Sequence, residues 1–201
     1  PGWSGPGGGL GRTPTSSAMP WWDGRALLER LETLPIAADR NLENLRYPVQ
    51  YVIRPDLAYR GFAGQIASGV VRVGDELMAL PSKKRSRVVS IDTFEGPIAE
   101  AFAPMSVSLR LADEIDVSRG DMLVRPDDAP RVADTFDAMV VWMNERPLDP
   151  ERSYLLKHTT QLVRARVEKV HAVTDLETLE PHGAATLGLN DIGRLSLRTQ
   201  R

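Results

Sequence analysis

Cysteine is absent from the 201 residues, which excludes disulfides and thiolate metal sites. No apolar run approaches the roughly 18 residues needed to cross a bilayer. The opening stretch, residues 1–11, has neither a basic start nor an apolar region of the kind a secretory signal requires. These absences point to a soluble protein of a reducing compartment, so a cytoplasmic location is expected. A further absence concerns phosphate binding, because no G-x-x-x-x-G-K-[ST] loop occurs anywhere in the chain. The nearest approach, Gly7 to Thr13, has Pro6 where a glycine is required and Arg12 in place of lysine, with no room for a preceding strand. It reads as a flexible leader. Lysine is scarce: apart from Lys83, Lys84, Lys157 and Lys169, the 25 basic residues are arginines. They are offset by 27 acidic residues, and the net charge of −2 exerts no overall pull toward nucleic acid or an anionic membrane.

What is present is a pattern of short strands. Residues 1–18 are rich in Gly, Pro, Ser and Thr and bury too little to offset their ordering entropy, so disorder is expected there. Asp23 to Leu34 reads as a helix, with Asp23 as N-cap, Leu27, Leu31 and Leu34 on one face and Pro35 as the stop. Trp21 and Trp22 add apolar area just before it, and nothing of the helix's own size covers that face. From Tyr47 to about Arg125 the pattern alternates. Val49, Tyr51 and Ile53 are expected on one face of a strand, and Phe62, Gly64 and Ile66 on one face of the next, with Gly64 admitting a neighbouring backbone. Further strands are expected at Val70–Val73, Leu77–Leu80, Val88–Ile91 and Val107–Leu111, with turns at Gly74-Asp75, Pro81-Ser82, Gly96-Pro97 and Gly120-Asp121. That spacing predicts a closed barrel of about six strands. After the polar linker around residues 126–130, strands are expected at Thr135–Met143, Ser153–Lys157, Gln161–Val173, Leu187–Asn190 and Arg194–Leu197.

The fold class is therefore mainly β: a complete barrel over residues 45–126, then an incomplete second barrel over 131–201, preceded by one short linking helix and its connector within 19–44. With no closing turn before Arg201, the second barrel is expected to lack its last strands.

Several polar groupings carry possible chemistry. Arg119-Gly120-Asp121 has the letters of an integrin ligand, but Gly before Asp also suits a tight turn in which Asp121 bonds local backbone. Lys83, Lys84, Arg85 and Arg87 form the densest basic run, with no aromatic neighbour until Phe94 to stack a base. A solvated hairpin tip and a partner-docking point are both compatible with it. Asp113, Glu114 and Asp116 lack the further ligands of a hard-metal loop and read as a surface turn. His158, His171 and His182 match no metal-ligand spacing. His158, in the polar run 156–160 (LKHTT), is either a hydrogen-bonded barrel residue or one that faces a neighbouring domain. Arg164 and Arg166 share the outward face of a strand and are placed to meet a partner's carboxylates. No catalytic, cofactor-binding or metal residue is assigned.

Taken together, Met19–Gly24 (MPWWDG) running into Leu27-Leu28-Glu29, Pro48–Pro55, Arg60–Asp75, Val117–Leu123, Met139–Pro147, Tyr154–Val167 and Leu189–Gly193 resemble the large, GTP-binding subunit of bacterial sulfate adenylyltransferase, a relative of elongation factors Tu and 1-alpha. The resemblance covers residues 19 to 201 and departs from the family over residues 1–18. It implies translation-factor-like second and third domains from which the GTP-binding domain is missing. It also implies a parent that uses GTP and magnesium, and a small catalytic subunit as partner that joins ATP and sulfate into adenylyl sulfate. None of the family's nucleotide-binding residues maps onto this chain, so the chain itself is expected to bind no cofactor, to be inactive and to serve in docking. The alternative is a tRNA-binding barrel of a translation elongation factor, for which the near-neutral charge is unfavourable.

Overall fold

The computed structural model describes residues 27–34, 41–56 and 59–200. Residues 1–40 and 41–201 form two separate compact units. The leader, Trp21, Trp22 and the Asp23 cap lie outside the described residues. In the first unit, helix α1 (Leu27–Thr33) exposes Leu28 and Leu31, and Leu34 beyond it is exposed as well. Thr33 Oγ1 donates back to the Glu29 carbonyl at 2.8 Å, a local bond that competes with continued helix.

The second unit holds two β-structures with separate cores. The first contains β1 (Tyr47–Ile53), β2 (Gly61–Gln65), β3 (Val70–Arg72), β4 (Glu76–Leu80), β5 (Arg85–Thr93), β6 (Gly96–Ile98), β7 (Glu100–Phe102), β8 (Ser106–Leu111) and β9 (Met122–Val124). Pairing runs β4-β9-β1-β2-β8-β5 and back to β4, an antiparallel ring of six strands as the turn spacing predicted. β6 extends the sheet beyond β5, and β3 pairs with β7 alone. The ring encloses Tyr47, Val49, Phe62, Ile66, Leu77, Ile91, Leu109 and Leu123, all essentially buried.

Two close approaches fix how β1 meets β2. A Cβ on Gly64 would sit 2.5 Å from the Pro48 carbonyl oxygen and 3.0 Å from the Tyr47 ring, so only glycine fits. The Tyr47 hydroxyl lies 2.7 Å from the Phe62 carbonyl and 2.8 Å from the Val107 carbonyl, sharing its proton between β2 and β8. Burial raises the Tyr47 pKa above the ordinary tyrosine value, which keeps that donor protonated.

The second structure contains β10 (Thr135–Val141), β11 (Ser153–His158), β12 (Gln161–Thr174), β13 (Pro181–His182) and β14 (Ile192–Gln200). They pair antiparallel in the order β10-β14-β12-β11, with β13 on the far end of β12, and the sheet does not close. Its inner face buries Leu148, Val167, Val173, Leu187, Leu195 and Leu197, with Trp142 and Tyr154 packed edge to face at 5.6 Å. Two register shifts, between Val167 and Lys169 and between Val170 and Ala172, interrupt β12 against β14.

Three expectations from the sequence are corrected. The expected face of Val49, Tyr51 and Ile53 does not exist, because the register against β2 shifts between Val49 and Tyr51. Val49 is buried while Tyr51 points to solvent, and Val52 packs against the core in its place. The turn assigned to Gly96-Pro97 falls at Phe94-Glu95, and Gly96 and Pro97 belong to β6. Leu187–Asn190 is a turn rather than a strand. Asp191 Oδ2 accepts the Gly188 N–H at 2.7 Å, and Asn190 adopts φ 68°, which ends extended pairing.

Candidate docking face

The structure places each polar grouping. Arg119-Gly120-Asp121 is the turn leading into β9, with Gly120 at φ 101° and Asp121 Oδ2 accepting the Ser118 N–H at 2.8 Å. Arg119 donates to the Gln50 carbonyl at 3.1 Å, which explains the motif as local structure. Lys83, Lys84 and Arg85 stand exposed at the β4–β5 hairpin tip, and Arg85 pairs with Glu76 at 3.6 Å. Asp113 accepts from Ser86 Oγ at 2.8 Å, while Glu114 reaches Arg54 at 4.0 Å. His158 is exposed at the end of β11, where Thr159 (φ 53°) and Thr160 turn into β12, and His182 is exposed on β13. Residues 156–158 thus end β11, and Thr159 and Thr160 make the hairpin turn.

Arg164 and Arg166 do share a face. The register sets Leu155, Arg164 and Gln200 in one row and Ser153, Arg166 and Arg198 in the next. The same outward face carries Met139 and Val141 on β10, with Arg194 opposite Met139. Beside these rows lies a groove of about 430 Å³ whose lining includes Pro150, Glu151, Arg166 and Arg198. Its lining holds no glycine, and Glu151 and Glu168 stand in it beside the two arginines.

One cluster escaped the sequence. His171 Nε2 lies 2.6 Å from Ser196 Oγ, and Ser196 Oγ donates to Asp137 Oδ1 at 2.7 Å. Arg194 donates to Asp137 Oδ2 at 2.7 Å. The Ser196 hydrogen bond, followed by that of Arg194, holds the Asp137 carboxyl below its ordinary pKa. The residue types are those of a nucleophilic triad, but the connectivity is different. A triad needs imidazole to accept the hydroxyl proton and the carboxylate to bond the other ring nitrogen. Here the hydroxyl gives its proton to the carboxylate, so the imidazole donates to Oγ and the serine is not activated. The cluster ties β10, β14 and β12 together. Only the strand register, 25 and 59 residues apart in sequence, brings its members into contact.

Among the described residues no helix is long and apolar enough to cross a membrane. With the fold in view, comparison with solved structures places it. Sup35 complexed with GDP superimposes with a TM-score of 0.73 at 19% identity, covering 90% of this chain and 45% of that one. Translation elongation factor SelB from Methanococcus maripaludis gives 0.64 at 23% identity, covering 87% of this chain and 38% of that one. Residues 135–201 match the family described as GTP-eEF1A C-terminal domain-like. The fold is that of the β-domains of translation-factor-type GTPases.

Sequence relatives narrow this. Sulfate adenylyltransferase subunit 1 of Bacteroides fragilis (strain YCH46) is 48% identical over 186 residues, covering 92% of this chain and 39% of that protein. The bifunctional enzyme CysN/CysC of Mycobacterium tuberculosis (strain CDC 1551 / Oshkosh) is 50% identical over 191 residues, covering 92% of this chain and 31% of that protein. The chain belongs to the sulfate adenylyltransferase subunit 1 family and spans about two fifths of the length of such a relative.

Proposed function

We propose that this chain is the β-domain region of a sulfate adenylyltransferase subunit 1, acting in a complex that couples GTP hydrolysis to the formation of adenylyl sulfate from ATP and sulfate. The observation that carries the reading is the 48% identity to a subunit 1 across 92% of the chain. The β-domains contribute docking and relay rather than bond-making. Phosphate-loop chemistry has no residues to act through here, since the required glycines, lysine and hydroxyl are not found together in these 201 residues. Their part is mechanical: packed β-domains move as rigid bodies when a switch releases its γ-phosphate, because packed cores shift between discrete arrangements. The partner is the small subunit that activates sulfate, and a location in the cytoplasm follows from that metabolic role.

The test mixes the purified chain with the small subunit and, separately, with GTP and magnesium. Binding to the small subunit without GTP turnover above buffer is the expected result. Sustained turnover by the chain alone, or no binding to the small subunit, ends the proposal. Salt-sensitive binding of tRNA in place of the small subunit would transfer the chain to the translation-factor reading.

A further inference from the structure

We infer that the outer face of the second sheet, centred on Arg164 and Arg166, is the surface that docks the small subunit, through an acidic patch on that partner. This rests on the subunit reading above and adds which surface is used and what chemistry it recognises.

The argument begins with charge. Arg166 stands directly across from Arg198, and like charges placed opposite each other on neighbouring strands destabilise the pair. Arg198 is answered by Glu168, and Arg194 by Asp137. Among the described residues no carboxylate pairs with Arg164, Arg166, Lys157 or Lys169. Lys157 shares the face through its pairing with Leu162, and Lys169 through its pairing with Ser196. Asp137 and Glu168 on this face are thus already neutralised, and against the four cations without a carboxylate stands only Glu151, which lines the groove beside Arg166. Charge complementarity sets the sign of the occupant.

Apolar residues decide the occupant's class. Leu155 is 70% exposed and Leu162 61%, flanking Arg164 and Lys157. Met139 and Val141 lie exposed at the other margin of the same sheet. Arginine and methionine among aliphatic side chains are enriched at protein interfaces. A single-stranded nucleic acid instead needs aromatic rings on which bases stack. The outward residues of these strands include no phenylalanine, tyrosine or tryptophan. An acidic protein surface with apolar contacts fits best.

The experiment titrates the purified small subunit against the full 201-residue chain by calorimetry at low and moderate salt. The expected result is binding that weakens with salt and a dissociation constant raised about tenfold or more by Arg164→Glu/Arg166→Glu, in the range seen when charged interface groups are reversed. Lys83→Glu/Lys84→Glu makes the same change of charge on the first barrel and should leave the constant within about twofold, since surface charges away from an interface act weakly. Arg164→Gln/Arg166→Gln, with a melting curve matching the parent, separates lost docking from lost folding and should show an intermediate loss. If the chain binds and the arginine variants bind equally well, this inference falls while the subunit reading stands. If the unaltered chain does not bind the small subunit, both fall. Arginine-dependent binding of poly(U) or tRNA without small-subunit binding would also overturn it, as would self-association that the arginine variants abolish.

Discussion

Every ring strand of the first barrel has at least two hydrogen-bonded neighbours, whereas β10 and β11 of the second sheet each have one. Closure leaves no unpaired edge for another chain to extend, while an open sheet presents free N–H and C=O groups along its margins. The cores differ in the same sense. The first is continuous from Leu45 to Leu123, whereas the second is a smaller cluster that relies on Trp142, Tyr154 and other half-buried residues to complete it. Stability thus concentrates in the ring, and surface available for partners concentrates in the sheet.

The largest effect that tests this contrast is a cavity in each core. Phe62→Ala should destabilise the ring by about 3–5 kcal/mol, the usual cost of a buried phenylalanine. Leu195→Ala should cost the second sheet about 2–3 kcal/mol, low in the aliphatic range because an open sheet can settle around the gap. Strand-resolved hydrogen exchange in urea reads the two separately, and equal losses would break the comparison. Next, Tyr47→Phe removes the proton shared by Phe62 and Val107 and should cost about 1–2 kcal/mol, visible as faster exchange in β2 and β8 only.

Acid should act more on the sheet. Asp137 is held below its ordinary pKa by Ser196 and Arg194, and Asp175 by the N–H groups of Thr178 and Glu177. Asp128, at the exit of the first barrel, is held down by Arg46 and then Asn44. For each, a depressed folded pKa means stabilisation present above the unfolded value near pH 4, lost as pH falls below it toward the folded value. Protection factors in β10 and β12 should therefore fall more between about pH 4 and pH 3 than those in the ring, and Asp137→Asn should flatten that response. The smallest effect is expected at the solvated hairpin tip, where Lys84→Ala should change stability by no more than about 0.5 kcal/mol.

Much of the barrel was legible because its signals are local. Gly64 between Phe62 and Ile66 announced a close backbone approach, and Gly74 and Gly120 marked turns that require positive φ. What stayed hidden depends on register. A shift after Val49 reverses the faces of β1, and no residue type at Gln50 announces it. Leu187 and Leu189 alternate like a strand, yet the Asp191 side chain captures Gly188 and makes a turn. On the docking face, Arg164 and Arg166 were readable as outward neighbours. Their opposition to Gln200 and Arg198 was not, because two interruptions in β12 set that pairing.

The phenol inside the ring also serves as a gauge. Tyr47 Oη is sealed from solvent between two carbonyls, so its proton can reach water only when β2 and β8 part. A hydroxyl so enclosed should give its own slowly exchanging magnetic resonance line. The lifetime of that line would time the breathing of the cylinder, one proton at a time.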